Sequence, residues 1–162
     1  MTATRMAWAC LCVLAAGVSA AGCAPNELVD ELAELGITPA TTVSLRFIGS
    51  EADFGTTKVQ VAVTGKEAIQ AVWQLLEAAE PADAWYASGY RRMEFYTPEG
   101  ADKPAVVLLI NAGDLCHVEG SRRYYYDPDA GRMLGLFRCP GLHSLLMKAL
   151  AAEHKRQQAQ PR

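Results

Sequence analysis

Between Arg91 and Asp127 the chain reads as strand after strand with a turn signal between each, and this run limits the possible fold more than any other feature. Its centre, Ala105-Val-Val-Leu-Leu-Ile110, is an apolar run set between Pro104 and Asn111-Ala-Gly-Asp114. Six small or β-favouring apolar residues between breakers predict a buried central strand. On one side Arg92-Met-Glu-Phe-Tyr96 alternates, with Met93 and Phe95 on one face and Arg92 and Glu94 on the other. That is the pattern of a half-buried neighbour. On the other side Leu115 to Glu119, a Gly120-Ser121 turn and Arg122 to Tyr126 continue an antiparallel meander, which Asp127-Pro-Asp-Ala-Gly131 closes.

The remaining chain supplies what such a sheet needs on one face. Thr42 to Ile48 and Lys58 to Val63 both alternate and predict a β-hairpin with a long connection, Gly49 to Thr56. Thr64-Gly-Lys-Glu67 matches a capping box. The helix it announces carries Ile69, Val72, Trp73 and Leu76 on one stripe and is stopped by Pro81, which makes Trp73 a core residue. Arg132 to Arg138 adds one short strand, and Pro140 opens a last helix with Leu142, Leu145, Leu146, Ala149 and Leu150 on one side. Near the start, Leu28, Leu32 and Leu35 mark a short amphipathic helix over residues 27–35, capped by Asn26 and ended by Gly36; a loosely packed tether is the other reading. The expected fold is α+β: a single antiparallel sheet of hairpin and meander with its helices on one face. The domain occupies residues 41–152, after an anchor segment with its short helix (23–40) and before a polar, frayed tail (153–162).

Residues 1–22 read as a secretory signal. Arg5 precedes a twelve-residue apolar core, Ala7 to Val18, which is far short of the ~20 residues that span a bilayer. Ala20-Ala21-Gly22-Cys23 resembles the lipobox of bacterial lipoproteins, with Ala20 where such motifs usually carry Leu. The resemblance implies lipidation of Cys23, with palmitate or a similar acyl chain, and a lipid-anchored place in the cell envelope facing the periplasm or the exterior. Ordinary secretion, with cleavage after Val18-Ser19-Ala20, is the competing reading. Of five cysteines, Cys10 and Cys12 leave with the signal and Cys23 takes the lipid, so Cys116 and Cys139 remain as an even pair and a candidate disulfide.

Without residues 1–22 the chain holds 14 basic and 18 acidic side chains, a balance that argues against nucleic acid as a partner. Its basic residues concentrate after residue 90. There is no Gly-rich phosphate loop, no paired Cys-x-x-Cys and no nucleophile elbow. Cys116 and His117 are adjacent, but neighbours on a strand point to opposite faces, which argues against a direct dyad. Asp127 to Gly131 is better read as a turn than as a calcium loop, because Arg132 and Arg138 stand where an EF-hand needs Gly and an acid. No catalytic set, metal or cofactor is expected.

Two features suggest binding instead. Arg92 and Arg123, sharing an outward face with Tyr96 or Tyr125, would form a basic and aromatic patch suited to an acidic surface, a sugar acid or a phosphate. Trp85, Tyr86 and Tyr90 interleave with small residues on a segment that reads either as an exposed aromatic loop or as a packed entry into the next strand. The expected function is a non-catalytic, lipid-anchored envelope protein that binds another protein or a cell-wall component. An anchored inhibitor or immunity protein against a secreted hydrolase is the alternative, with 85–90 or 49–55 as its blocking loop; a small-ligand binder or enzyme ranks below both.

Overall fold

The computed structural model describes residues 26–55, 58–84, 89–100 and 102–159. The signal segment, Cys23, Trp85 and Tyr86 lie outside them. In chain order the elements are α1 (Glu27–Glu34), β1 (Ser44–Ile48), α2 (Glu51–Phe54), β2 (Gln60–Val63), α3 (Lys66–Glu77), β3 (Glu80–Pro81), β4 (Arg91–Tyr96), β5 (Val106–Ile110), β6 (Leu115–Val118), β7 (Tyr125–Asp127), β8 (Arg132–Leu134), β9 (Phe137–Arg138) and α4 (Leu142–Ala159). The protein is α+β. Seven antiparallel strands form one sheet in the order β2-β1-β4-β5-β6-β9-β3, and β7 and β8 pair as a separate ribbon.

The apolar run at 106–110 lies in the middle of the sheet, but it is covered on one face more than on the other. Val106, Leu108 and Ile110 are buried, whereas Val107 and Leu109 are half-exposed. The inner face of the sheet, with Leu45, Phe47, Met93, Phe95, Leu108, Cys116 and Val118, packs in one core with stripes from three helices. These are Leu28 and Leu32 of α1, Ile69, Val72, Trp73 and Leu76 of α3, and Leu142, Leu146 and Leu150 of α4. The first helix is therefore part of the core and not a loose tether. Asn26 ties it in twice: its Oδ1 accepts from the Val29 amide at 3.1 Å, and its Nδ2 donates to the Leu76 and Glu77 carbonyls at the end of α3, each at 2.8 Å. One side chain thus caps the start of one helix and the end of another.

Several expectations are corrected. The capping box at Thr64 does not form: α3 starts one residue later than that motif requires, Gly65 is its cap, and no side chain bonds the cap position. The helix also ends at Glu77, ahead of Pro81, which instead lies in β3 at the sheet edge, where a missing N–H is tolerated. Arg122 to Tyr126 does not extend the meander, because the free side of β6 is taken by β9. After Gly120, whose φ of 74° makes the turn, Ser121 donates to Glu31 and Arg123 pairs with Glu34 at 2.7 Å, so α1 draws the chain off the sheet. Arg132 to Arg138 is two strands rather than one, broken at Gly135 with φ 66°. Of the tail, residues 153–159 do not fray: α4 continues to Ala159, with His154 packed on Phe54 at 5.2 Å between ring centroids and Glu153 bonded to Arg156 and Gln157.

The start of α4 is fixed from a distance. Asp114, in the β5–β6 turn, holds a left-handed φ of 58° and accepts from the Gly141 and His143 amides at 3.0 and 2.8 Å, while its carbonyl accepts from Cys139 N at 2.9 Å. Loss of a capping carboxylate costs about 1 to 2 kcal/mol. Asp114→Ala should lose that amount in urea unfolding, and Asp114→Asn, which keeps an acceptor and tolerates the left-handed backbone, should recover most of it. Equal losses in the two variants would count against the cap.

Candidate functional site

Alternation along β1 and β4 puts Arg46, Arg92, Glu94 and Tyr96 on the outer face of the sheet, opposite the core, and the register sets Arg46 directly across from Glu94. Glu94 is the centre of this group. Its carboxylate accepts from the Tyr96 hydroxyl at 2.7 Å and lies 3.8 Å from both Arg46 and Arg92. Arg46 also lies over the Tyr96 ring, 4.9 Å from its centroid, and Arg92 reaches Glu119 at 3.2 Å. Burial, then the hydrogen bond to Glu94 and its charge, push the Tyr96 phenol above its ordinary value of 10.0. Half-exposed Val107 and Leu109 of β5 are placed beside this ladder by the pairing of Arg92 with Leu109 and of Glu94 with Val107.

The four-residue patch expected from the sequence is therefore only half assembled. Arg92 and Tyr96 share the outer face, but Arg123 is in the loop before β7, bonded to Glu34, and Tyr125 is on the separate ribbon. The physical cause is the diversion of residues 121–123 toward α1 described above.

Farther along the outer face, the strip formed by β6 and β9 is covered. Leu115 packs with Ala82 and Leu136, with Tyr90, Tyr124 and Met133 against them. His117 is buried here, stacked on Tyr124 at 3.7 Å and 7°, with Tyr90 edge-on at 4.8 Å. Its Nδ1 is buried without a hydrogen-bond partner among the described residues. Burial pushes the imidazole down to about 4. The unfolded chain, with an ordinary value of 6.5, takes up the proton first, so the stability this neutral histidine contributes is complete above pH 6.5 and is lost as pH falls from 6.5 toward 4. The loss should be about 2 to 3 kcal/mol. Urea midpoints at pH 7.5 and 4.5 should differ in the wild type and much less in His117→Phe; an unchanged difference would rule out His117 as the source.

The two remaining cysteines meet. Cys116 and Cys139 are fully buried, and their Sγ atoms lie 3.0 Å apart as free thiols. The hydrogen bond between them, then burial and the neighbouring charges of Cys139 and Asp114, raise the Cys116 thiol well above its ordinary value.

Sequence reasoning overlooked one buried ion pair. In α2, Asp53 takes Arg91 from two guanidinium nitrogens and also accepts from Ser50 N and Oγ at 3.1 and 2.7 Å. Burial acts to raise this carboxyl, but the bonds from Arg91 and Ser50 outweigh it and leave it lowered. Its contribution to stability is thus present above 3.8 and fails only as pH drops below that value. Phe54 lies so close to Gly49 that a Cβ there would overlap its ring. Together these contacts fasten residues 49–54 to β4 and α4.

Among the described residues no cluster of three His, Cys, Asp or Glu could hold a metal ion, and no helix is long and apolar enough to cross a membrane. No family model, curated protein or solved structure matches this chain.

Proposed function

We propose that the protein is a non-catalytic, lipid-anchored envelope protein, held by acyl chains on Cys23, that binds another protein or a cell-wall component through the outer face of its sheet. The observation that carries the reading is the strip on β1, β4 and β5 where half-exposed Val107 and Leu109 adjoin the ladder of Arg46, Tyr96, Glu94 and Arg92. Tyr96 and Glu94 are buried within the ladder, but Arg46 and Arg92 are each 43% exposed, and arginine beside apolar side chains is what binding surfaces are enriched in. The ladder's side chains restrain one another, so less rotamer freedom is lost when a partner docks. The anchored-inhibitor reading has less support, since the connection at 49–54 is fastened down by Asp53 and Phe54 instead of projecting. A Cys116–Cys139 disulfide belongs to the same proposal, because an exported domain folds where such bonds persist.

Two measurements test the proposal. Cys23→Ser should release the protein into the soluble fraction or leave an unprocessed precursor; normal cleavage with continued membrane retention would count against the anchor. A photo-crosslinking residue at position 109 in intact cells should trap a partner that the same residue at exposed position 129 does not, and equal trapping at both positions would remove the outer face as the binding surface.

A further inference from the structure

A cleft of about 450 Å³ opens between the β7–β8 ribbon and the β9–β3 edge of the main sheet. Arg122, Arg123, Arg132 and Tyr125 line it, and Glu27 is the one carboxylate among the described lining residues. Arg123 is already engaged by Glu34 at 2.7 Å. Arg122 and Arg132 have no ion-pair or hydrogen-bond partner among the described residues. Arg132 does sit directly across the ribbon from Asp127, but that carboxylate accepts instead from the Asp129 and Ala130 amides at 2.9 and 3.2 Å, inside the turn. Two guanidiniums without a paired carboxylate thus line a cleft that they share with apolar Met133, Leu136 and Phe137.

The backbone that brings them together depends on Gly135. Its φ of 66° and its lack of a Cβ let the Arg123–Tyr124 peptide pass against it, where any side chain would overlap the Arg123 carbonyl. The approach fixes the loop carrying Arg122 against the strand end carrying Arg132. Planar guanidiniums in a confined space recognise oxyanions by paired, charge-assisted hydrogen bonds, which a lysine ammonium cannot reproduce.

We infer that this cleft binds a small anionic ligand, a carboxylate or phosphate group on a compact body, with Arg122 and Arg132 as the charged clamp and Tyr125 as a further hydrogen-bond partner. The site is separate from the outer face of β1, β4 and β5 and does not rest on the function proposed for that face.

The test is an amide-resolved NMR titration of the mature chain at constant ionic strength with three probes: inorganic phosphate, D-glucuronate and neutral D-glucose. Saturable shifts at residues 122–125 and 132–135 are expected with an anion and not with glucose. A response to phosphate alone assigns the site to phosphoryl groups, and a response to glucuronate alone assigns it to sugar carboxylates. Arg122→Gln and Arg132→Gln should each weaken binding about tenfold, the loss expected for one charge-assisted hydrogen bond. Both arginines lack partners to lose, so the variants should keep the wild-type spectrum elsewhere. No saturable shift with either anion, equal shifts with glucose, or unchanged affinity in the double variant would overturn the inference.

Discussion

Trp73→Ala is expected to lower stability by about 3 to 5 kcal/mol, the range for truncating a large aromatic in a packed core. The side chain is 1% exposed and sits where α3 meets the sheet, with its ring edge-on to Phe95 at 6.0 Å and 62°. Leu76 and Val72 on the same stripe are equally covered, so the space left behind has little means to collapse. A loss of that size is a large share of the stability of a domain this long and should shift the thermal midpoint by about 10 °C. Trp73→Phe separates packing from polarity. The indole Nε1 is buried with no partner among the described residues, and Phe removes that orphan donor while keeping a ring on Phe95. Its cost should be less than half that of Ala. If urea unfolding gave the two variants equal losses, ring packing would not be what Trp73 contributes.

The elements that were legible in the sequence are those whose periodicity states which face is covered. Ile69, Val72, Trp73 and Leu76 in α3 and Met93 and Phe95 in β4 lie in the core as their spacing predicts, whereas of the β5 run, which reads as buried throughout, only Val106, Leu108 and Ile110 do. What escaped was decided by partners far along the chain. Asp114 looks like an ordinary turn residue, yet it caps a helix whose bonded amides are 27 and 29 positions away. Asp53 is an acid in a polar connection until β4 supplies Arg91, 38 positions on. Arg122 to Tyr126 carries strand-forming tyrosines, but local propensity cannot register that β9 already occupies the edge of β6 or that Glu31 and Glu34 draw residues 121–123 toward α1. The same blindness explains the patch. Arg92 and Arg123 read alike in sequence, and only the path of the chain after Gly120 separates them. Arg132, which lines the same cleft as Arg122, had no signal at all beyond its charge.

Denatured without reductant, the protein, if exported as proposed above, is expected to show no labelling at Cys116 and Cys139, and two reactive thiols after reduction. The proposed compartment and the cysteine count suggest the bond, and the two free thiols are close enough to form it: their Sγ atoms are 3.0 Å apart in the core, Cys116 on β6 and Cys139 just before α4. The bond would close a loop of 23 positions, for which the chain-entropy model gives roughly 3 to 3.5 kcal/mol. Reduction, or the Cys116→Ala and Cys139→Ala pair, should therefore lower stability by about 3 kcal/mol. The raised Cys116 thiol adds a kinetic expectation. The thiolate is the species that attacks, and hydrogen bonding to Cys139 together with burial keep this thiol protonated in the folded state. Oxidation should then occur while the chain is still opening and closing, before α4 settles over the sheet. Protein folded under reducing conditions should reoxidise slowly, and mild urea that loosens α4 should speed the reaction. Two labelled thiols in the unreduced, denatured protein would remove the disulfide; reoxidation as fast in the folded as in the unfolded chain would remove the argument that burial holds the pair inert.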